Sequence, residues 1–281
     1  MTVAQPAPAQ SALRGLLRGL GEYLRPQEPI PRQTYLGILI ASAGGLIALW
    51  CVVTYSGLVE PLFLPTPTAI LRSGADMTAD GSLLQNAGAS LYVIVTGWVL
   101  AVASGVPVGI LMGSFKAVEA LIEPVIDFVR YLPVSALIPL LILYIGIGTS
   151  EKIAVIFIGT FFQLVLLVAD VAAHVPREQI DVSYTLGASR AQVIRRVLLP
   201  ATLPGVMDTL RITMGWAWTY LVVAELVSAD RGLGYLILNS MRGLFTDRIF
   251  VGLFTIGGLG LGFDLLFKWL HRRLLPWSPK A

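Results

Sequence analysis

Long apolar segments dominate this 281-residue sequence and limit what it can fold into. A helix needs about 20 mostly apolar residues to cross the hydrocarbon core of a bilayer. The segments that meet this requirement directly are 35–58, 87–113, 152–173, 205–227 and 249–270. A helix satisfies its own backbone polar groups, which lipid cannot do. The sequence therefore predicts an all-α integral membrane protein.

The composition supports a lipid environment. Apolar residues make up 56% of the chain and charged residues 13%, whereas soluble domains average about 25% charged residues. A folded chain of this size would therefore lack the polar surface needed to face water. The net charge of +3 is typical of basic cytoplasmic loops, so we expect membrane lipid around the chain and no nucleic-acid partner.

A sixth apolar segment, 131–148, contains Pro133 and Pro139. Proline removes a backbone N–H and kinks a helix, which lipid tolerates where neighbouring helices shield the break. We therefore expect this segment inside the bundle, with 118–129 as a short interfacial or re-entrant helix leading into it. Together the segments predict a six-span membrane domain over residues 35–270.

The basic residues indicate the orientation of this bundle. With six spans, one set of loops includes both termini, and its basic residues are Arg14, Arg18, Arg25, Arg32, Lys116, Arg130, Arg177, Arg190, Arg195, Arg196, Arg272, Arg273 and Lys280. The opposite set holds Arg72, Lys152, Arg231, Arg242 and Arg248. Because cytoplasmic loops are enriched in Lys and Arg, both termini are expected in the cytoplasm.

The terminal segments 1–34 and 271–281 are expected to be cytoplasmic tails. Residues 13–24 place leucines at helical spacing between charged residues, which fits an amphipathic helix on the inner membrane surface. A partly disordered tail explains the same segment equally well. The first tail has no short apolar core followed by a small-residue cleavage site, so we predict no signal peptide.

Glycines recur every four residues in two of the predicted spans. Gly105, Gly109 and Gly113 form one such series, and Gly258 and Gly262 form the other. This spacing lets helix backbones approach closely. It predicts a tightly packed bundle without indicating a function.

The loop between the fourth and fifth predicted spans has the pattern of two short helices around a glycine. Pro176 suits the first turn of a helix, and Gly187 suits the left-handed position just past its end, at Leu186. Ser189 and Gln192 have the spacing of a capping box at the start of a second helix. This second helix is expected to end at the next proline.

The second helix of the loop is amphipathic. Its apolar residues fall on one face, and three arginines face elsewhere. The apolar residues are Val193, Ile194, Val197 and Leu198, and the arginines are Arg190, Arg195 and Arg196. A helix pair that is too short and too charged to span a membrane suits docking into a groove of a soluble partner.

The loop resembles the EAA loop of ABC importer permeases, whose pattern is Glu-Ala-Ala, three residues, Gly, nine residues and Ile-x-Leu-Pro. The matching positions are Gly187, Leu199 and Pro200, with Val197 in place of the isoleucine. Asp181, Val182 and Ser183 replace Glu-Ala-Ala, so the acid is shortened and the alanine pair is lost. The stretch LGASRAQV, 186–193, is still typical of the family.

The resemblance implies that the loop 174–204 inserts into a cleft of an ATP-binding subunit and transmits its closure to the membrane spans. The residues expected to contribute to this coupling are Asp181, Ser183, Leu186, Gly187, Ala188, Ser189, Arg190, Val193 and Pro200.

Further segments resemble the nitrate, sulfonate, taurine and bicarbonate branch of these permeases. They are LFLPTPTAIL after the first span, RYLPVSALIPLLILYIGIG around the third, and WAWTYLVVAELVSADRGLGYLI with the ending RRLLPW. The segment WAWTYLVVAELVSADRGLGYLI and the ending RRLLPW are most similar to sulfonate and taurine members. The order and spacing of these motifs carry the resemblance, because each motif is short.

This resemblance implies a six-helix bundle of the type I ABC importer permease kind in a bacterial inner membrane. Its expected partners are ABC ATPase subunits, a periplasmic or lipoprotein solute-binding protein, and a second permease copy. ATP and Mg²⁺ would be bound by the ATPase, with no cofactor on this chain. The expected solute is a small oxyanion or sulfonate: taurine-like sulfonates slightly ahead of nitrate or bicarbonate.

Two other classes of protein compete with this interpretation. The chain has no Gly-Lys pair and hence no Walker A phosphate loop, so its energy comes from a partner's nucleotide or from an ion gradient. A gradient-driven secondary transporter usually shows paired ionisable residues near mid-membrane, and most candidates here fall near span ends. A membrane-embedded enzyme is disfavoured because no catalytic pair or cluster is apparent in the sequence.

Several polar and aromatic residues are candidates for a translocation path. They are Arg130, Tyr131, Trp216, Trp218, Tyr220 and Glu225. Arg130 either attracts an anion or marks the cytoplasmic interface, and we favour the interface. Packing is the default role for the aromatic residues of the fifth span.

Two charged sites in the fifth span have structural interpretations. Glu225 is the most membrane-embedded ionisable residue, and we favour a partner of a helix terminus or of a nearby Arg over a direct role in transport. Asp208 and Arg211 lie three residues apart on one helix face, so we expect a local ion pair that braces the coupling loop.

Overall fold

A computed structural model describes residues 30–228 and 230–278 of the chain. The predicted amphipathic helix at 13–24 lies outside these residues. The chain divides into two compact units, Met1–Glu60 and Pro61–Ala281. All regular secondary structure in the described residues is helical, as the sequence predicted.

The described part of the first unit contains one long helix, α1, Arg32–Tyr55. Its 24 residues are apolar all round, with a mean hydropathy of 2.3 in the most apolar window. A helix of this length and composition is suited to a bilayer. It covers most of the predicted span 35–58.

The second unit holds the remaining described helices. In chain order they are α2 Pro67–Ala79, α3 Ser82–Ser114, α4 Lys116–Val129, α5 Val134–Ile145, α6 Thr149–Ala173, α7 Arg177–Thr185, α8 Arg190–Val193, a π-helical segment Ile194–Leu198, α9 Leu199–Ser228, α10 Leu233–Arg242 and α11 Thr246–Leu274.

Length and composition select four of the described helices as membrane spans: α1, α3, α6 and α11. The pair α4 and α5 makes a fifth if the two count as one bent span. The predicted span 205–227 lies inside the 30-residue helix α9, which carries Arg211 and Glu225 and is less apolar. The total of six spans therefore stays a prediction.

The predicted third span, 131–148, is shorter than expected. Helix α5 has 12 residues and is about 18 Å long, too short to cross a bilayer alone. It follows α4 after a break of four residues, and the two helix axes differ in direction by 94°. Pro133 lies in this break, where its missing N–H and fixed φ end helical continuation.

Close packing of α3 against α6 forms the centre of the second unit. A Cβ atom added at Gly109 would lie 2.7 Å from the Val165 carbonyl oxygen, and one at Gly113 would lie 2.1 Å from that of Ala169. The glycine series of α3 therefore allows the close approach of helix backbones that its spacing predicted. Gly258 in α11 has open space within 4 Å among the described residues, so its series makes no such contact there.

Candidate functional site

The predicted turn at Gly187 is present. Gly187 has φ +82°, a conformation that favours glycine. Its N–H donates to Tyr184 O at 2.9 Å, and the Ala188 N–H donates to Ser183 O at 3.0 Å. These two bonds form a Schellman motif, which satisfies the last carbonyls of α7. Helix α7 ends one residue before the predicted Leu186.

The predicted capping box at Ser189 is also present. The Gln192 N–H donates to Ser189 Oγ at 3.4 Å, and the Ser189 N–H donates to Gln192 Oε1 at 2.8 Å. The predicted apolar face turns inward, since Val193 and Leu198 are buried. The short helix α8 is therefore held at its start by hydrogen bonds and along one side by packing.

Pro200 does not end the second helix, contrary to the prediction. The helix continues from α8 through the π-helical segment into α9, which contains Pro200. In the π-helical segment the Leu199 N–H donates to Ile194 O, five residues earlier. This wider turn accommodates a residue that has no N–H to donate. Helix α8 is thus joined without interruption to a 30-residue helix.

The first helix of the pair presents apolar side chains to the surface. Leu186 is 82% exposed, and Val182 and Tyr184 are also exposed. Asp181 and Arg190 are exposed beside them. An apolar patch with charges at its edge, on a fixed helix–turn–helix, has the character of a docking surface.

A cavity of about 370 Å³ lies between α4, α5, α6 and α9. Three of the predicted path residues line it: Arg130, Tyr131 and Tyr220. Its other polar lining residues are Ser135, Gln163 and Thr219. These three were not predicted from the sequence, because each is an isolated polar residue in an apolar segment and belongs to no motif.

The Arg130 side chain is 28% exposed and lines the cavity. It shares the cavity with Ile158 and Gln163 of α6, which are about 13 Å and 21 Å along a helix about 37 Å long. The predicted position at the cytoplasmic interface stays a prediction. Helix α4, which begins at Lys116, is about 21 Å long and ends one residue before Arg130.

Contacts at both sides orient the Arg130 side chain. Its Nε lies 3.1 Å from Asp127 Oδ1 in an ion pair. Its Nη2 donates to Tyr131 Oη at 3.0 Å, and the guanidinium carbon lies 4.7 Å from the centre of the Tyr131 ring. Such cation–π contacts hold a guanidinium plane over an aromatic face.

The remaining path candidates lie away from this cavity. Trp218 is buried in the core between α3, α9 and α11, with its ring 6.2 Å from that of Phe263. Trp216 is partly exposed, and it does not line the cavity. The default packing role describes Trp218.

Glu225 holds a helix terminus, one of the two structural roles that the sequence favoured. It is 1% exposed. Its Oε1 accepts a hydrogen bond from Ser90 Oγ at 2.6 Å, and its Oε2 accepts one from the Gly234 N–H at 2.7 Å. Ser90 Oγ also accepts from the Leu233 N–H at 2.8 Å. The carboxylate thus binds the first turn of α10 and joins it to α3.

Asp208 and Arg211, expected as a local ion pair, both contact the last helix, α11. The Arg211 guanidinium forms an ion pair with Asp264 of α11. Asp208 Oδ1 lies 3.8 Å from His271 Nδ1, also of α11. Both charged residues of α9 therefore turn toward α11, because its acidic and imidazole side chains lie within reach across the helix interface.

No metal centre is apparent in the described ranges. Within residues 30–228 and 230–278, no three His, Cys, Asp or Glu side chains are grouped as metal ligands would be.

Comparison with known families and curated proteins gives consistent matches. Residues 105–276 match the family described as the inner membrane component of binding-protein-dependent transport systems. A probable ABC transporter permease protein of Brucella abortus (strain 2308) is 38% identical, with 89% of this chain and 99% of that protein covered. The taurine transport system permease protein TauC of Escherichia coli (strain K12) is 35% identical, with 89% and 92% covered.

One solved structure supports the fold. The chain is similar to a chain of the inward-facing MetNI methionine ABC transporter, with a TM-score of 0.62 and 21% identity. The alignment covers 70% of this chain and 97% of that one.

Proposed function

Because this chain belongs to the family of inner membrane components of binding-protein-dependent transport systems, we propose that it is the permease subunit of an ATP-driven importer for small sulfonates or oxyanions. Members of this family are multi-pass membrane subunits of ABC importers. A separate ATPase hydrolyses ATP, and a solute-binding protein delivers the solute. This chain is therefore a transport component and not an enzyme.

The exposed helix pair α7–α8 carries the proposal. Its turn at Gly187 is held by two hydrogen bonds, and its apolar patch around Leu186 faces outward. Helix α8 continues directly into α9, which lines the cavity through Thr219 and Tyr220. A partner that moves α7–α8 would thereby move a wall of the cavity. This supports the loop 174–204 as the surface that couples to the ATPase.

The solute class rests on similarity. The taurine transport system permease protein TauC of Escherichia coli is 35% identical over 254 residues, so a taurine-like sulfonate is the first candidate. Nitrate and bicarbonate are the further candidates from the sequence resemblance. We assign no cofactor to this chain and place ATP and Mg²⁺ on the ATPase.

The remaining assembly is inferred from charge and exposure. Both termini are assigned to the cytoplasm, which the distribution of basic residues supports. For the C-terminus, the contact of Asp208 with His271 is further support, since it places the end of α11 beside the start of α9 and thus near the proposed coupling loop. A second copy of the permease is assigned as the membrane partner. The open space at Gly258 of α11 is compatible with such a contact.

The test is ATPase activity of the full complex in nanodiscs, with and without taurine-loaded binding protein. We expect stimulation by the loaded protein in the wild type and its loss in Leu186→Asp and Gly187→Pro. Proline cannot adopt the φ of +82° at this position. Leu58→Asp is the matched control, since Leu58 is an exposed leucine just after α1, far from the loop in sequence.

The competing interpretation is a gradient-driven carrier. It predicts that the purified chain alone accumulates labelled taurine in liposomes under a proton or sodium gradient. It also predicts no association with the ATPase. Uptake by the chain alone, with Leu186→Asp behaving as wild type, would refute the coupled importer.

A further inference from the structure

The break between α4 and α5 places a charged side chain at a cavity that α5, α6 and α9 also line. Arg130 lies at this break and lines the cavity together with Ile158 and Gln163 from the middle of α6. An ionisable group within a membrane domain is costly unless it is paired or lines a polar cavity. Non-helical backbone at membrane depth is tolerated under the same condition. Both features occur together at one cavity.

The charge that the cavity presents is positive. Among the described residues that line it, Arg130 is the charged one. Its ion-pair partner Asp127 contacts the Nε side of the guanidinium and is not part of the lining. The contacts with Asp127 and Tyr131 use Nε and Nη2, so Nη1 is available to a group in the cavity. A guanidinium edge of this kind matches the paired oxygens of an anion.

Neutral polar groups surround the arginine. Gln163 and Thr219 line the cavity, and neither side chain has a hydrogen-bond partner within the described part of the chain. Their amide and hydroxyl groups can form hydrogen bonds with a ligand's oxygens or with water. Ser135 lies in the first turn of α5, and this end of a helix carries partial positive charge.

We propose that this cavity is a transit site for the anionic group of the solute, a sulfonate or oxyanion, and that Arg130 is its charge-selecting residue. Gln163, Thr219 and Ser135 are the neutral hydrogen-bonding partners. The volume of about 370 Å³ lies within the range of about 300–1,000 Å³ for small-molecule sites. The inference rests on the proposed function for the direction of transport, but its charge preference stands on the geometry alone.

The first experiment measures the charge preference without knowing the solute. The purified full chain, with Cys51→Ala and Ser135→Cys, is modified in nanodiscs by two thiosulfonate reagents of similar size. One carries an ethylsulfonate and the other an ethyltrimethylammonium group. The ratio of the two rates cancels changes in thiol reactivity. A cysteine at exposed Ser56, far along the chain in the first unit, serves as the control position.

We expect the anionic reagent to react faster than the cationic one at position 135. The ratio of the anionic to the cationic rate should fall by about tenfold or more in Arg130→Gln, since a unit charge a few ångströms away acts oppositely on the two reagents. Arg130→Lys should preserve most of the preference. The double variant Arg130→Gln/Asp127→Asn should also lose it, which excludes an effect of the uncovered Asp127 carboxylate. The ratio at Ser56→Cys should stay constant.

Two results would overturn the proposal. One is a ratio at position 135 that is the same in the wild type and in Arg130→Gln. The other is failure of both reagents to react there, with or without ATP turnover in the complex, because a transit site must open to solute.

A second experiment separates this inference from the proposed function. In the complete complex, Arg130→Gln should retain ATPase stimulation by loaded binding protein while uptake of labelled taurine per ATP falls at least about tenfold. If the wild type shows no stimulation, the proposed function fails, whereas the ratio measured at position 135 still decides the charge preference. Unchanged uptake in Arg130→Gln would refute the transit site.

Discussion

The carboxylate of Glu225 lies 2.7 Å from the backbone nitrogen of Gly234 and accepts a hydrogen bond from its N–H. This bond joins the last turn of α9 to the first turn of α10. It requires glycine nearby, because a Cβ at Gly232 would lie 2.2 Å from Glu225 Oε1. A buried acid thus replaces the capping side chain that the start of α10 does not have.

Replacing Glu225 by Ala should lower the thermal stability of the purified permease in detergent. The change leaves the Ser90 hydroxyl and the Gly234 N–H buried without their acceptor, at a cost of about 3 kcal/mol. Glu225→Gln keeps one carbonyl acceptor and should cost less. Glu60→Ala is the control, since Glu60 is exposed. Equal unfolding midpoints for Glu225→Ala and Glu60→Ala would show that this acid does not secure α10.

Gly113→Ala should separate α3 from α6. The new Cβ would meet the Ala169 carbonyl at 2.1 Å, and overpacking of this kind costs about 1–3 kcal/mol. The matched variant Gly88→Ala lies on the same helix with open space around it, so we expect it to be neutral or slightly stabilising. Unfolding midpoints in detergent compare the two. A lower unfolding midpoint for Gly88→Ala than for Gly113→Ala would contradict the close packing of α3 on α6 at Gly113.

The Asp264 carboxylate pairs with both Arg211 and Lys268, the latter at 2.7 Å. Asp264→Ala should therefore destabilise the chain more than Arg211→Ala, which leaves the pair with Lys268. The side chains are partly exposed, so each loss is about 1 kcal/mol or less. The exchange Arg211→Asp with Asp264→Arg should recover part of the stability. A double variant that is no better than the sum of its single changes would argue against the ion pair.

Ser189→Ala should loosen the start of α8. Loss of the cap costs about 1 kcal/mol, so amide hydrogen exchange at 190–193 should become roughly fivefold faster if local opening governs it. Ser183→Ala is a suitable control, because its hydroxyl donates to Gln179 O within α7 and caps no helix. Exchange rates that respond equally to both changes would show that the capping box does not order α8.

Local chemistry made parts of this structure predictable. The turn at Gly187 and the capping box at Ser189 were anticipated because each depends on residues within a few positions of one another. The glycine series of α3 was recognised by its helical spacing. The same spacing at Gly258 did not identify a contact within the described chain, since a stripe of small residues does not specify which helix packs on it.

The sequence by itself determined that the chain is helical and membrane-embedded, because apolar length and the need to satisfy the backbone in lipid leave few alternatives. It also predicted the turn at Gly187 and the capping box at Ser189, which are set by near neighbours in the chain. Only the tertiary structure decided that Arg130 lines a cavity with residues of α5, α6 and α9 and that the helix continues through Pro200 after a π-helical turn. It alone paired Arg211 with Asp264. These features depend on the path of one helix along another, and helical periodicity shows which face a residue occupies but not what that face meets.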